Sequence, residues 1–196
     1  MDIIVNAIEY FSPGGIVMIP IILTSLIMWA LIIERLLYFR KAERDDPDVK
    51  EAVELFNGKS LTDTSRGLRT GVVRAFLKER IGDKKLDRSI PDLCAMRQRP
   101  HLRRYLSVIA VLAAVSPLFG LLGTVTGMIT TFNVIALFGT GNARAMAGGI
   151  SEAMITTQSG LLVAIPGLFM SAFLIRRADR LESRMDELIM TLKRHI

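Results

Sequence analysis

Between Tyr105 and Ile175 the chain carries only two charged residues, Arg144 and Glu152. In a chain of 196 residues, 51% of them hydrophobic, so much uncharged sequence exceeds what one water-soluble core can hide. Three segments, Gly14 to Ile33, Tyr105 to Gly141 and Ala145 to Ile175, each reach the ~20 residues that cross ~30 Å of hydrocarbon. Lipid offers no partner for a free backbone N–H, so runs of this kind cross as helices. The expected fold is all-α: a polytopic membrane protein with three transmembrane helices, the second and third long and extended into the cytoplasm.

The basic residues orient these spans. No Lys or Arg precedes Gly14, seventeen lie from Arg40 to Arg104, Arg144 stands alone in the second hairpin, and six follow Ile175. Bases in short loops stay on the cytoplasmic side. The reading is therefore residues 1–13 as an outer, interfacial segment, 14–39 as the first span and 40–104 as a cytoplasmic helical loop. Residues 105–139 form the long second span, 140–144 an outer hairpin, 145–175 the third span and 176–196 a cytoplasmic helical tail. Ile3, Ile4, Ala7, Ile8 and Phe11 fall at helical spacing in the first of these segments, and no basic start marks it as a cleaved signal. The same distribution explains the net charge of +6 without nucleic acid, because the loop's bases are interspersed with eleven acids.

Within the loop, Asp46-Pro47 can open a helix that closes at Asn57-Gly58, and a second helix fits Ser65 to Arg80, with turns over 58–63 and 82–87. Pro100 is expected to interrupt the approach to the second span. Beyond the third span, Leu174, Ala178, Leu181, Met185, Leu188 and Leu192 repeat at 4-3-4-3-4 intervals, the mark of a packed helical stalk. Cys94 is the only cysteine, so no intrachain disulfide is possible.

On the second span Ala113, Pro117, Gly120, Thr124, Gly127, Thr131 and Ile135 share one face at 100° per residue, and Gly123 with Gly127 forms a further small pair. On the third, Ala153, Thr157, Gly160, Ala164, Gly167 and Ser171 form a small-residue stripe, with Glu152, Thr156 and Ser159 in a polar stripe beside it and Pro166 further along. Gly120, Gly123, Gly127, Gly160, Pro117 and Pro166 read as packing residues. Glu152 is the only acid of the two spans, and an ionisable group inside a span is costly enough to suggest function. Counted from the basic residues that end each helix, Thr124 and Thr157 lie at one level, ~28 to 30 Å from the inner boundary. Glu152 and Thr157 are about 140° apart on an ideal helix, so they do not both face one axis. No Walker loop, His-Glu-x-x-His, Gly-x-Ser-x-Gly or Cys/His cluster occurs, so neither an enzyme, a cofactor nor a metal is expected.

The chain resembles the ExbB/TolQ branch of the MotA/TolQ/ExbB proton-channel family. The resemblance rests on Gly14-Gly15, Ser25 and Ile33-Glu34-Arg35, on the Pro-Leu-Phe-Gly-Leu-Leu-Gly-Thr-Val run from Pro117, and on Gly149-Ile150-Ser151-Glu152-Ala153. Thr156-Thr157, Gly160-Leu161 and Val163-Ala164-Ile165-Pro166 extend it. It implies a bacterial inner-membrane homo-oligomer, a pentamer, with its N-terminus periplasmic and its C-terminus cytoplasmic. It also implies a pore that holds a dimer of a single-span ExbD- or TolR-like protein, a membrane aspartate on that partner, and work on a TonB- or TolA-like protein. Thr124 and Thr157 match the family's pore threonines and Glu152 its membrane glutamate, so the expected proton path is Thr124, Thr157, Glu152, Thr131, Thr156 and Ser159. The rival reading is a non-conducting membrane scaffold or adaptor, in which the small stripes only pack helices. A solute transporter would be favoured by an internal repeat, and none is found.

Overall fold

A computed structural model describes residues 14–44, 67–79 and 88–195. The expected interfacial helix at the N-terminus, the helix from Asp46 and the turns at 58–63 and 82–87 lie outside these residues. Five α-helices carry the described chain: α1 (Met18–Arg44), α2 (Leu68–Glu79), α3 (Ile90–Arg103), α4 (Leu106–Phe138) and α5 (Ala143–His195), with a 3-10 turn at Gly139–Gly141 between the last two. Among the described residues there is no strand, and three helices are long and apolar enough to cross a membrane.

The chain divides into two compact units, Met1–Ile32 with Val108–Ala172, and Ile33–Ser107 with Phe173–Ile196. The first is the apolar unit. Here α1 and the turn before it bury Val17, Met18, Ile21, Thr24, Met28 and Ile32, while Ile16, Ile19, Leu23, Leu26 and Trp29 stay exposed. A helix apolar on every side, with one face packed on protein, leaves the others to lipid or to neighbouring subunits. Phe119 of α4 and Ile155 and Val163 of α5 pack against the Val17, Met18 and Ile21 cluster. The Thr24 hydroxyl, which would otherwise be orphaned among these side chains, donates to the Pro20 carbonyl one turn back at 2.6 Å.

The second unit is held by charge as well as by the seam. Leu174, Ala178, Leu181, Met185, Leu188 and Leu192 are all buried, so the heptad spacing does report a packed stalk. Antiparallel to it, α3 is tied on by Arg103 to Glu182 and Asp179, Arg99 to Asp186, and Asp92 to Lys193. Arg97 links α3 to Glu79 of α2 at 2.6 Å. These pairs are largely exposed and individually worth little, about 0 to 1 kcal/mol, so no single one decides the stability of the stalk. Hydrogen bonding to Arg103 holds the Glu182 carboxyl below the usual 4.5, and Arg177 does the same for Glu43. Both contributions are present above 4.5 and vanish as pH falls through the depressed values. The helical stalk should therefore lose thermal stability on acidification below about pH 4.5, and a Glu182→Gln/Glu43→Gln variant should lose most of that dependence. An unchanged pH profile in the double variant would contradict the assignment. Burial pushes the Cys94 thiol of α3 up, as suits a packing residue.

Pro100 does not interrupt the approach to the second span: it lies inside α3, which runs on to Arg103. It faces outward, where the carbonyl it leaves unbonded can turn to water. The break comes instead at Tyr105, the only non-glycine residue of positive φ (64°) among those described. Arg35 explains its place. This side chain, almost wholly buried, donates to the His101 carbonyl in the last turn of α3 at 2.9 Å, bonds Glu34 through two nitrogens, and lies 4.9 Å from the Tyr38 ring and 5.2 Å from the Tyr105 ring. It satisfies a carbonyl that the end of α3 would leave orphaned.

Candidate functional site

α4 and α5 form an antiparallel pair whose contact face is built from residues with little or no side chain. A Cβ added to Gly160 would stand 2.8 Å from the Ser116 carbonyl oxygen and 3.1 Å from the Gly120 Cα. One on Gly127 would stand 2.6 Å from the Gly149 carbonyl oxygen, and one on Gly120 would stand 3.1 Å from the Thr157 Cα. Gly123 faces the Thr156 side chain, whose Cγ2 would be 2.9 Å away. Backbones can approach this closely only where Cβ atoms are absent. In the apolar unit the buried positions on α4 are Ile109, Ala113, Ser116, Gly120, Gly123, Gly127 and Thr131, and on α5 Gly149, Ala153, Thr156, Gly160, Ala164, Gly167 and Ser171. Pro117 and Pro166 sit inside their helices, half-buried.

The hydroxyls divide into two sets. Thr131 and Thr156, both grouped by the sequence with the expected path, are buried in this seam, and each donates to carbonyls of its own helix, Gly127 for Thr131 and Glu152 or Ala153 for Thr156, at 3.0 Å. Thr124, Thr157 and Ser159 are half-exposed. The Thr124 hydroxyl lies 2.6 Å from the Leu121 carbonyl. Thr157 reaches across: its Oγ1 is 3.0 Å from the Ala153 carbonyl oxygen and 3.2 Å from the Gly120 carbonyl oxygen on α4, one turn from Thr124. A hydroxyl has one hydrogen, so it serves one of the two carbonyls at a time and keeps lone pairs that can accept from water or another donor.

Glu152 points elsewhere. It is half-buried, and a Cβ on Gly15 would run into its Oε1, with the carboxyl carbon 2.8 Å from that position. Gly15 has φ +64° and opens the turn that starts α1, its carbonyl accepting from the Met18 N–H. The turn that leads into α1 therefore lies against the carboxylate, a contact for which nothing in the order of residues gives a sign. Among the described residues Glu152 forms no ion pair, and no group of His, Cys, Asp and Glu could hold a metal ion. The contact makes a prediction. Gly15→Ala should displace the carboxylate and weaken whatever depends on it, while also straining the backbone by about 1 to 2 kcal/mol. Adding Glu152→Asp, whose shorter stem clears the new methyl, should restore function to the level of Glu152→Asp alone. A double variant no better than Gly15→Ala would reduce the contact to backbone strain.

Comparison with known proteins gives this geometry a context. The profile of the MotA/TolQ/ExbB proton channel family matches residues 64–187, a range that takes in α2, α3, α4 and most of α5. The chain belongs to this family. It is 32% identical over 178 residues to the biopolymer transport protein ExbB-like 1 of Synechocystis sp., covering 86% of this chain and 70% of that one. Identity to the ExbB-like 3 protein of the same organism is 31% over 168 residues, 79% and 78% of the two chains. The biopolymer transport protein ExbB of Salmonella typhimurium is 30% identical over 169 residues, 78% and 68% of the two. These relatives place the chain in the ExbB/TolQ branch and make it a membrane-embedded subunit of proton-channel type.

Proposed function

We propose that the chain is the channel-forming stator subunit of an inner-membrane motor of the ExbB-ExbD or TolQ-TolR type, coupling the proton motive force to mechanical work or transport across a bacterial envelope. The observation that carries this reading is Thr157, a hydroxyl within reach of carbonyls on two helices and one turn from Thr124. Copies of the chain, five by family resemblance, surround a dimer of a single-span ExbD- or TolR-like partner, whose membrane carboxylate carries protons past the Thr124 and Thr157 level. A TonB- or TolA-like protein receives the work. The distribution of bases supports a periplasmic N-terminus and a cytoplasmic loop and tail. Each charge crossing 100 mV releases ~2.3 kcal/mol, so useful pulling or rotation draws on several protons.

The scaffold reading keeps one specific support: Thr131 and Thr156 are spent on carbonyls of their own helices within the seam. Thr124→Val/Thr157→Val separates the two readings. An interhelical hydrogen bond in a membrane is worth only about 0.6 kcal/mol, so the variant should assemble normally. Proton flux in the presence of the partner should nevertheless be lost. Full flux in the double variant would leave the two hydroxyls only a packing role, and no flux from the wild type with the partner present would favour the non-conducting scaffold.

A further inference from the structure

Outside the channel pair, the start of the stalk carries a cavity of ≈ 390 Å³ between α1 and α5, lined by Glu43, Phe173, Arg177, Arg180 and Arg184. Residues 173, 177, 180 and 184 follow one another at helical spacing along a single face of α5, beside the buried seam. Arg177 is spent on Glu43, which it holds through two nitrogens. Arg180 and Arg184 form no ion pair among the described residues; the Arg180 Nε rests on the Arg176 carbonyl at 3.3 Å. Three guanidinium groups against one carboxylate leave the cavity cationic, and hydrogen bonding from Arg177 holds the Glu43 carboxyl below its ordinary value. Two features of the wall narrow the class of anion. Phe173 is 44% exposed and gives the cavity an apolar side, and the cavity lies where the uncharged run from Ala153 ends at Ile175 and the bases begin. A soluble anion has no use for the first, and the second is the level at which lipid phosphates sit on a spanning helix.

We propose that this cavity binds the phosphate of an anionic phospholipid, with Arg180 and Arg184 forking its oxygens and Phe173 against its glycerol and first methylenes. Guanidinium suits the task because its planar donors match two phosphate oxygens at once. The site stands apart from proton conduction, and its failure would leave the channel reading untouched.

The test uses the full chain, purified in mild detergent as it assembles, with native mass spectrometry of retained lipid. Phosphatidylglycerol added to the wild type should remain bound at up to one molecule per chain, with phosphatidylcholine retained at least tenfold less. Arg180→Gln/Arg184→Gln should lose the phosphatidylglycerol about tenfold, and inorganic phosphate at millimolar concentration should not displace it from the wild type. A photoactivatable phosphatidylglycerol probe on the unmodified protein needs no variant, and should crosslink to the peptide holding Phe173 to Arg184. Equal retention of the two lipids, equal retention by the variant, displacement by inorganic phosphate, or crosslinks confined to other peptides would each overturn the proposal.

Discussion

Glu152→Gln is expected to assemble like the wild type and yet to carry protons, in the presence of the single-span partner, slower by roughly two orders of magnitude, the scale set by loss of a proton-transferring side chain. Gln keeps the shape and the hydrogen bonding of the glutamate but cannot ionise. Gly15 leaves room for the carboxyl group, and an amide fits the same space, so no packing defect accompanies the change. Glu152→Asp keeps the charge on a shorter stem and should be partly active. The comparison of three side chains decides the role. If Gln were fully active and Ala failed to assemble, Glu152 would be a structural hydrogen-bonding residue and no part of the proton path.

The second large effect is on assembly. Gly160→Val places a Cβ 2.8 Å from the Ser116 carbonyl oxygen and 3.1 Å from the Gly120 Cα, both backbone atoms that no rotamer change can move aside. The helices must separate, which costs about 1 to 3 kcal/mol for overpacking, more once the neighbouring Gly123 and Gly127 contacts open. In a chain of this size about 3 kcal/mol corresponds to roughly 6 to 12 °C in Tm. Gly148→Val is the control, because a Cβ there meets nothing within 4 Å. It should melt with the wild type, whereas Gly160→Val should melt far below it or fail to accumulate in the membrane. Equal melting of the two variants would show that the α4–α5 contact is not close-packed.

What the order of residues discloses here is periodicity, and where periodicity is unambiguous the structure agrees with it. The spans and the stalk seam from Leu174 to Leu192 are legible because apolar spacing depends on one helix at a time. The α4–α5 face is legible only in part. A 100° projection groups Pro117 and Thr124 with the small stripe, but the buried positions include Ser116 and Gly123, because two long packed helices follow a 3.5-residue seam that drifts from an ideal straight helix. The same drift separates Thr156 from Thr157: the side chain that meets Gly123 is buried, and its neighbour reaches Gly120 from the edge. The fit of Glu152 over Gly15 and the placing of buried Arg35 beneath the end of α3 could not be read at all, since each joins residues far apart in the chain. Pro100 misleads for a related reason, as its cost depends on whether its helix face meets water.

The claim that organises all of this is that the chain forms a channel wall and borrows its cycling carboxylate from a partner, having no aspartate between Tyr105 and Ile175. Its most direct test is proton flux into liposomes under an imposed potential, measured with a pH-sensitive dye for the purified oligomer alone and for the same oligomer reconstituted with the single-span partner. The account predicts little flux from the oligomer alone, and flux with the partner that disappears when the partner's membrane aspartate is replaced by asparagine. Robust flux from the oligomer without any second protein would contradict it.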